Sequence, residues 1–75
     1  MTMNLRKTCP DIPDSWKGGV SDVARLLGET KPLSTDTIYK YVKLGRRNGG
    51  INSKRGLNGR LQISGKETKY LWSIL

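Results

Sequence analysis

Residues 20–45 read VSDVARLLGETKPLSTDTIYKYVKLG, and this stretch decides the fold. Its first eight residues place apolar side chains at the i, i+3, i+4 and i+7 positions, which predicts a short helix with one buried face. Gly28 is expected to cap that helix in the left-handed conformation, and Pro32 prevents the helix from continuing. The predicted buried face consists of Val20, Val23, Ala24 and Leu27.

A second helix is predicted over TDTIYKYVKL, residues 35–44. Ser34 is the expected N-cap, and Gly45 is expected to end the helix. The apolar side chains share one face at i, i+3 and i+4, which leaves a polar face open to a partner. The apolar face carries Ile38, Tyr41 and Val42, and the open face carries Thr35, Asp36, Tyr39, Lys40 and Lys43.

The periodicity changes after the second helix. Residues 49–52 are expected to begin a strand, and residues 60–63 alternate polar and apolar side chains as a half-buried strand does. Between them lies a loop rich in Gly, Ser and Asn, in which Asn58-Gly59 is the best local turn signal. Together these segments predict a β-hairpin, which we call the wing.

The two ends of the chain are interpreted differently. Residues 1–18 are interrupted by Pro and Gly and are expected to form a flexible tail. Within it, Trp16 either folds back onto the core or contacts a partner. Ser64 is expected to cap a final helix over residues 65–75, with Leu71, Trp72 and Leu75 on its apolar face. The predicted fold is therefore α+β, a small winged helix-turn-helix domain over residues 19–75.

Charge is the strongest functional signal in the composition. The 75 residues include 14 basic and 6 acidic side chains, for a net charge of +8. A small chain this basic usually meets a polyanion. The segment from Lys40 to Arg60 contains no Asp or Glu, which favours a binding face over a solvated loop. Its seven basic residues are Lys40, Lys43, Arg46, Arg47, Lys54, Arg55 and Arg60.

Several other classes of function are not favoured by the composition. With Cys9 as the single cysteine and no histidine, neither an intrachain disulfide nor a zinc site of Cys and His ligands can form. No paired carboxylates or glycine-rich phosphate loop are present, so neither catalysis, a metal nor a cofactor is expected. The sequence lacks a membrane-length apolar run and an export signal, so we expect a cytoplasmic protein of a bacterium or phage without a membrane partner.

The predicted order of elements suggests how double-stranded DNA would be bound. The second helix is the one that a major groove admits, with Lys40 contacting a base edge or a phosphate. Asp36 either accepts a hydrogen bond from cytosine or caps the helix, and Tyr39 either donates to a phosphate or packs on the surface. The expected backbone contacts come from Arg46 and Arg47 after the helix and from Lys54, Arg55 and Arg60 in the wing, where Arg can also enter a narrow minor groove.

The segment KPLSTDTIYKYVK, residues 31–43, resembles the excisionases of temperate phages and integrative elements, within the broader MerR-like winged helices. The shared features are a basic-Pro turn, a Ser-capped helix, and then an acid, Thr, a β-branched residue, two polar or basic residues, an aromatic and Val. The resemblance implies that Asp36 and Lys40 read DNA and that Arg55 or Arg60 is the basic residue of the wing. It also implies a protein that bends attachment-site DNA and promotes excision by an integrase (a tyrosine recombinase), with neighbouring copies of itself as further partners.

Two other functions remain open at this point. A small transcriptional regulator would use the same DNA-binding surface, although MerR-type activators usually add a long dimerisation helix. An RNA-binding module would interleave exposed aromatic residues with the basic ones. Tyr39 is the only plausible aromatic residue of that kind within the basic segment, which makes RNA the weaker alternative.

Overall fold

The computed structural model describes residues 4–56 and 59–75. Over these residues the chain is a small α+β structure with three helices and a two-stranded antiparallel sheet. The elements, in chain order, are β1 (Lys17–Gly18), α1 (Val20–Leu27), α2 (Thr35–Arg47), β2 (Ile63–Ser64) and α3 (Gly65–Ile74). The three predicted helices are confirmed. None of the helices in the described part of the chain is long and apolar enough to cross a membrane.

The core lies where the three helices meet. Leu27 of α1, Ile38 of α2 and Leu71 of α3 are completely buried, together with Ile63 of β2. Each such side chain contributes about 1.5–3 kcal/mol by its removal from water. The apolar faces predicted for the first two helices are therefore the faces that hold the domain together, and α2 is left with its polar face outward.

Gly28 follows α1 as expected, but the predicted left-handed conformation is wrong. Its φ of −78° and ψ of 144° are those of extended backbone, and its N–H donates to the carbonyl of Ala24 at 3.1 Å. A Cβ at this position would collide with the carbonyl group of Lys31. Glycine is needed here because the chain turns back closely on itself, and its φ angle is not the reason.

Gly45 does not end the second helix, because α2 continues for two further residues to Arg47. The helix closes instead at Gly49, whose φ is +79° and whose N–H donates to the carbonyl of Arg46. The N–H of Gly50 then donates to the carbonyl of Gly45 at 2.9 Å, which completes a Schellman motif. Gly45 is itself buried against Ile51.

The strand pairing also differs from the expectation. Residues 49–52 form no strand, because Gly49 and Gly50 close α2 and the N–H of Asn52 donates to a side chain. The name wing is kept for residues 53–61, and their described part contains a single bridge, Arg55 with Leu61. The sheet joins distant parts of the chain instead, since Ile63 pairs with Gly18 and Ser64 with Lys17.

The segment assigned to a tail contributes to the domain over its described part, residues 4–18. Leu5 forms a bridge with Gly28, and Ile12 is only 5% exposed. Trp16 is partly buried and packs against the core, as one of its two interpretations required. The indole N–H of Trp72 donates to the carbonyl of Arg6 at 2.9 Å. The boundary expected at residue 18 is therefore not found, because this segment adds a strand and buried side chains to the same core.

Candidate nucleic-acid interface

One face of α2 carries an exposed row of charged side chains. At about 100° per residue, positions 36, 40, 43 and 47 fall within an arc of about 60°, and the row is about 16 Å long. All four side chains are exposed, and Gly45 is buried on the opposite side of the helix. We call this row the α2 stripe; it consists of Asp36, Lys40, Lys43 and Arg47.

A second row lies about a quarter turn around the same helix, on the side of the wing. It consists of Thr35, Tyr39 and Arg46, and all three side chains are exposed. Tyr39 is a large side chain left 49% exposed, so packing does not account for its position. Seven predicted site residues lie on α2, because the helix also includes Arg46 and Arg47, which were expected to follow it. They divide into a stripe facing outward and a row facing the wing.

An open groove of about 690 Å³ separates the start of α2 from the wing. Thr35 and Tyr39 line one side, and Arg55 and Arg60 line the other. The beginning of α1 forms the floor, where the carboxylate of Asp22 accepts the N–H of Gly19 at 3.1 Å. We call this space the wing groove. It brings four of the predicted site residues together from two separate segments.

Backbone and side-chain hydrogen bonds join the two arms of the wing, the outgoing arm with Arg55 and Gly56 and the returning arm with Gly59 and Arg60. The N–H of Gly56 donates to the carbonyl of Arg60 at 2.8 Å, and the guanidinium of Arg55 donates to the carbonyl of Gly59 at 3.0 Å. Gly59 has a φ of +76°, which suits the turn expected here, whereas its predicted turn partner Asn58 lies outside the described residues. Leu61 is buried and anchors the returning arm.

A second groove, of about 490 Å³, lies between the end of α2 and the base of the wing. Its lining includes three cationic side chains, Arg46, Lys54 and Arg55. Arg55 lines this groove and the wing groove alike, so the outgoing arm of the wing lies between the two. Both sides of that arm therefore present positive charge.

The base of the wing is held by a network of hydrogen bonds that is only partly visible in the sequence. The guanidinium of Arg46 donates to the carbonyl of Ser53 at 2.6 Å. The carboxylate of Glu67 on α3 accepts the N–H of Asn52 and, at 3.3 Å, the hydroxyl of Ser53. Its other oxygen accepts the N–H and the hydroxyl of Ser64 at 3.1 and 2.9 Å. One carboxylate thus joins α3 to the start of the wing.

These bonds have an electrostatic consequence for Glu67. Partial burial raises the pKa of this carboxyl group, but the donors of Asn52, Ser64 and Ser53 outweigh burial, and the net pKa is below its usual value. Half of the network was visible in the sequence, because Ser64 followed by Glu67 has the spacing of a capping box. The half that reaches Asn52 has no local signal.

Two of the six acidic residues bind partners away from the α2 stripe. Asp14 pairs with Lys69 at 2.6 Å, and that hydrogen bond lowers the pKa of Asp14 and raises the pKa of Lys69. Glu67 belongs to the network at the base of the wing. Asp36 is the one acid among the four stripe residues, with Lys40 one turn away on the same face.

The acidic residues and Cys9 are the possible metal ligands of this chain, which has no histidine. Among residues 4–56 and 59–75, no group of three or more His, Cys, Asp or Glu side chains could hold a metal ion. Cys9 is exposed with a free thiol.

Comparisons with protein-family models, with curated proteins and with solved structures find no match for this chain. The function is therefore inferred from the placement of charge and hydrogen-bonding groups.

Proposed function

We propose that this protein binds double-stranded DNA, with α2 in the major groove and the wing against the adjacent backbone. The observation that carries the proposal is the position of the cations. Lys40, Lys43 and Arg47 share one exposed face of a helix, and that helix borders a wing whose outgoing arm is basic on both sides. A surface of this kind matches the two phosphate strands that flank a groove of duplex DNA.

The shape of the helix supports the proposal. An α-helix with its side chains is about 10–12 Å across, close to the roughly 12 Å width of the major groove. The α2 stripe presents side chains of opposite charge one turn apart, Asp36 and Lys40. An acid can accept a hydrogen bond from the cytosine amino group, whereas a lysine can donate to guanine. Asp36 is therefore assigned to a base edge, and Lys40 to a base edge or a neighbouring phosphate.

The other cations are assigned to the phosphate backbone. Lys43 and Arg47 continue the stripe toward the end of α2, while Lys54, Arg55 and Arg60 supply the wing. Contacts of this type set the register and the affinity but carry little sequence information. Arg46 already donates to Ser53, so only its remaining guanidinium N–H groups are available to DNA.

Within DNA binding, we propose the narrower role of an excisionase, which bends attachment-site DNA and promotes excision by an integrase. Its support is the resemblance of residues 31–43 together with the exposure of Asp36 and Lys40, which that resemblance assigns to DNA reading. A small transcriptional regulator is the alternative, because it would use the same surface.

The first experiment measures binding to a mixed-sequence DNA duplex by fluorescence anisotropy between 50 and 200 mM salt. If about six phosphates are contacted, the affinity falls roughly 10³-fold over this range. A single-stranded RNA of equal length serves as competitor. A flat salt response, or displacement of the duplex by the RNA at equal concentration, contradicts the proposal.

The second experiment separates excision from regulation. Binding sites are selected from a randomised duplex library and then tested in an excision reaction with any tyrosine recombinase encoded beside the gene. Stimulation of excision, with the selected sites lying beside the attachment core, supports the excisionase role. Selected sites that occur only at promoters, without effect on excision, support the regulator.

A further inference from the structure

The entry to the wing is fixed from two sides. Ser53 is 7% exposed, and its carbonyl accepts a hydrogen bond from Arg46 of α2. Its hydroxyl and the neighbouring N–H of Asn52 donate to the carboxylate of Glu67 on α3. The backbone that leaves α2 is thus held by side chains of two helices at the point where the wing begins.

Two of the hydrogen bonds beyond Ser53 lie within the wing itself. Gly56 pairs with Arg60, and Arg55 reaches Gly59 across the tip. Bonds of this kind give the wing its shape but cannot set its angle relative to α2. The two ends of the wing do bear on that angle: one is held at Ser53, and the other by burial of Leu61 and Ile63.

We infer that Glu67 is a positioning residue for DNA binding: from α3, it fixes the wing at the angle at which α2 and the wing contact one duplex together. Arg46 shares the role through Ser53. The inference rests on the proposed function, since it concerns the wing as a DNA-binding element. Side chains held in one arrangement before binding lose less conformational freedom when the complex forms.

The two carboxylate oxygens of Glu67 explain why neither glutamine nor aspartate can join Asn52 to Ser64 in its place. Its two oxygens accept from donors on opposite sides, the N–H of Asn52 and the N–H of Ser64. In Glu67→Gln, the amide replaces one oxygen with an NH₂ group, which must face one of those N–H donors. In Glu67→Asp, the charge at the start of α3 remains, but the side chain is one methylene too short to bridge both partners.

The test uses variants that each remove one positive charge, made in the wild-type protein and again in Glu67→Gln. For each variant, the affinity for a mixed-sequence duplex is measured over a range of salt concentrations. In the wild type, Lys54→Gln in the wing and Lys40→Gln on α2 each lower the log–log salt slope by about 0.9. Each also lowers the affinity about eightfold at 100 mM salt. In the Glu67→Gln background, we expect Lys40→Gln to keep its effect and Lys54→Gln to lose it.

Two further variants make the outcome decisive. Ser64→Ala removes a hydroxyl from the same helix cap, at a cost of about the same stability, but leaves the bond between Glu67 and Asn52, so Lys54→Gln should retain its effect there. Glu67→Asp keeps an acid where the helix dipole favours one, and it replaces Glu67→Gln if that variant does not fold.

The inference is overturned if Lys54→Gln lowers the salt slope equally with and without Glu67. A wild-type protein that fails to bind the duplex would instead refute the proposed function, so the two failures are distinguishable. Equal loss of the Lys40 and Lys54 effects in a folded Glu67 variant also overturns the inference, because a general structural role, not the wing angle, would then be responsible.

Discussion

The carboxylate of Glu67 accepts the backbone N–H of Asn52, a residue 15 positions earlier in the chain. The same carboxylate accepts the N–H of Ser64 at the start of α3. Asn52 lies just after the Schellman motif that ends α2, so the bond links the exit of one helix to the beginning of another. The N–H of Asn52, which a strand over residues 49–52 would have used for pairing, is therefore already bound to Glu67.

The stability of the protein should fall in acid through Glu67. Its pKa is below the ordinary value of 4.5 in the folded state, so its contribution is fully present above about pH 4.5. The contribution is lost as the pH falls from there through the folded pKa, because protonation removes the acceptor. Urea unfolding between pH 7 and pH 3 measures this loss.

The variant for the acid prediction is Glu67→Gln. The difference in unfolding free energy between it and the wild type should stay constant above pH 5 and shrink below pH 4.5. Asp14 also has a lowered pKa, owing to its hydrogen bond with Lys69, so Asp14→Asn serves as the control. That variant should keep the part of the pH dependence that belongs to Glu67. A constant difference between wild type and Glu67→Gln down to pH 3 would contradict the assignment.

Gly45→Ala should destabilise the protein, although the same change in an exposed helix stabilises by about 1 kcal/mol. A Cβ at this position would lie 2.8 Å from the buried side chain of Ile51 and 3.2 Å from the ring of Tyr70. Overpacking of this kind costs about 1–3 kcal/mol, so we expect a net loss of about 1 kcal/mol in urea unfolding. Lys43→Ala, exposed on the same helix, should change stability by less than about 0.5 kcal/mol. If Gly45→Ala is more stable than the wild type, the side chain of Ile51 can move to make room for the added methyl group.

The sequence predicted those elements whose signals are local. The face of α1 and the face of α2 follow from spacings within a few residues, and so does Ser64 as the cap of α3. The interpretation of Gly45 failed because two later glycines, Gly49 and Gly50, meet the same geometric requirement better. A residue pattern alone does not show which of several nearby glycines ends a helix, because the answer depends on packing, as between Gly45 and Ile51.

The remaining differences come from pairings over long distances in the chain. Gly18 pairs with Ile63, and the indole of Trp72 donates to Arg6, which brings residues 4–18 into the domain. Of the candidate interface, the exposure of Asp36, Lys40 and Lys43 was predictable, because helical period alone sets it. Arg47 joins them because α2 continues beyond its predicted end. The tether of the wing through Glu67 was not, because it depends on where α3 packs.

Lys40→Gln should weaken binding to duplex DNA about eightfold at 100 mM salt and lower the log–log salt slope by about 0.9, since one phosphate or base contact and its counterion are lost. The measurement is fluorescence anisotropy over a salt series. Lys66→Gln is the charge-matched control, because Lys66 is exposed on α3 near Asp14 and away from the α2 stripe. Equal effects of the two variants would mean that only net charge matters.

Asp36→Asn should change the preferred DNA sequence. A carboxylate accepts from the cytosine amino group, whereas an asparagine amide pairs best with adenine, so one position of the selected site should shift from cytosine to adenine. The lost charge in the first turn of α2 should also cost about 0.3–1 kcal/mol of stability. Selection from a randomised duplex library reads the first effect, and urea unfolding reads the second. Reduced stability with an unchanged selected sequence would assign Asp36 to the helix dipole alone.

Tyr39→Phe should lower affinity without changing the salt slope. Tyr39 lines the wing groove opposite Arg55 and Arg60, so its hydroxyl can donate to a phosphate held in that groove. One neutral hydrogen bond is worth about 0.5–1.5 kcal/mol, which corresponds to a loss of about twofold to tenfold. Because the hydroxyl carries no charge, no counterion is released with it, and the slope should remain that of the wild type.

Tyr41→Phe is the matched control for Tyr39→Phe, because Tyr41 lies on the same helix but packs against the core. It should leave both affinity and slope unchanged. If Tyr39→Phe binds as tightly as the wild type, the ring only packs on the surface. If it instead lowers the slope in the way that Lys40→Gln does, the wing groove must lose a cation contact when the hydroxyl is removed, and Tyr39 would then orient Arg55 or Arg60.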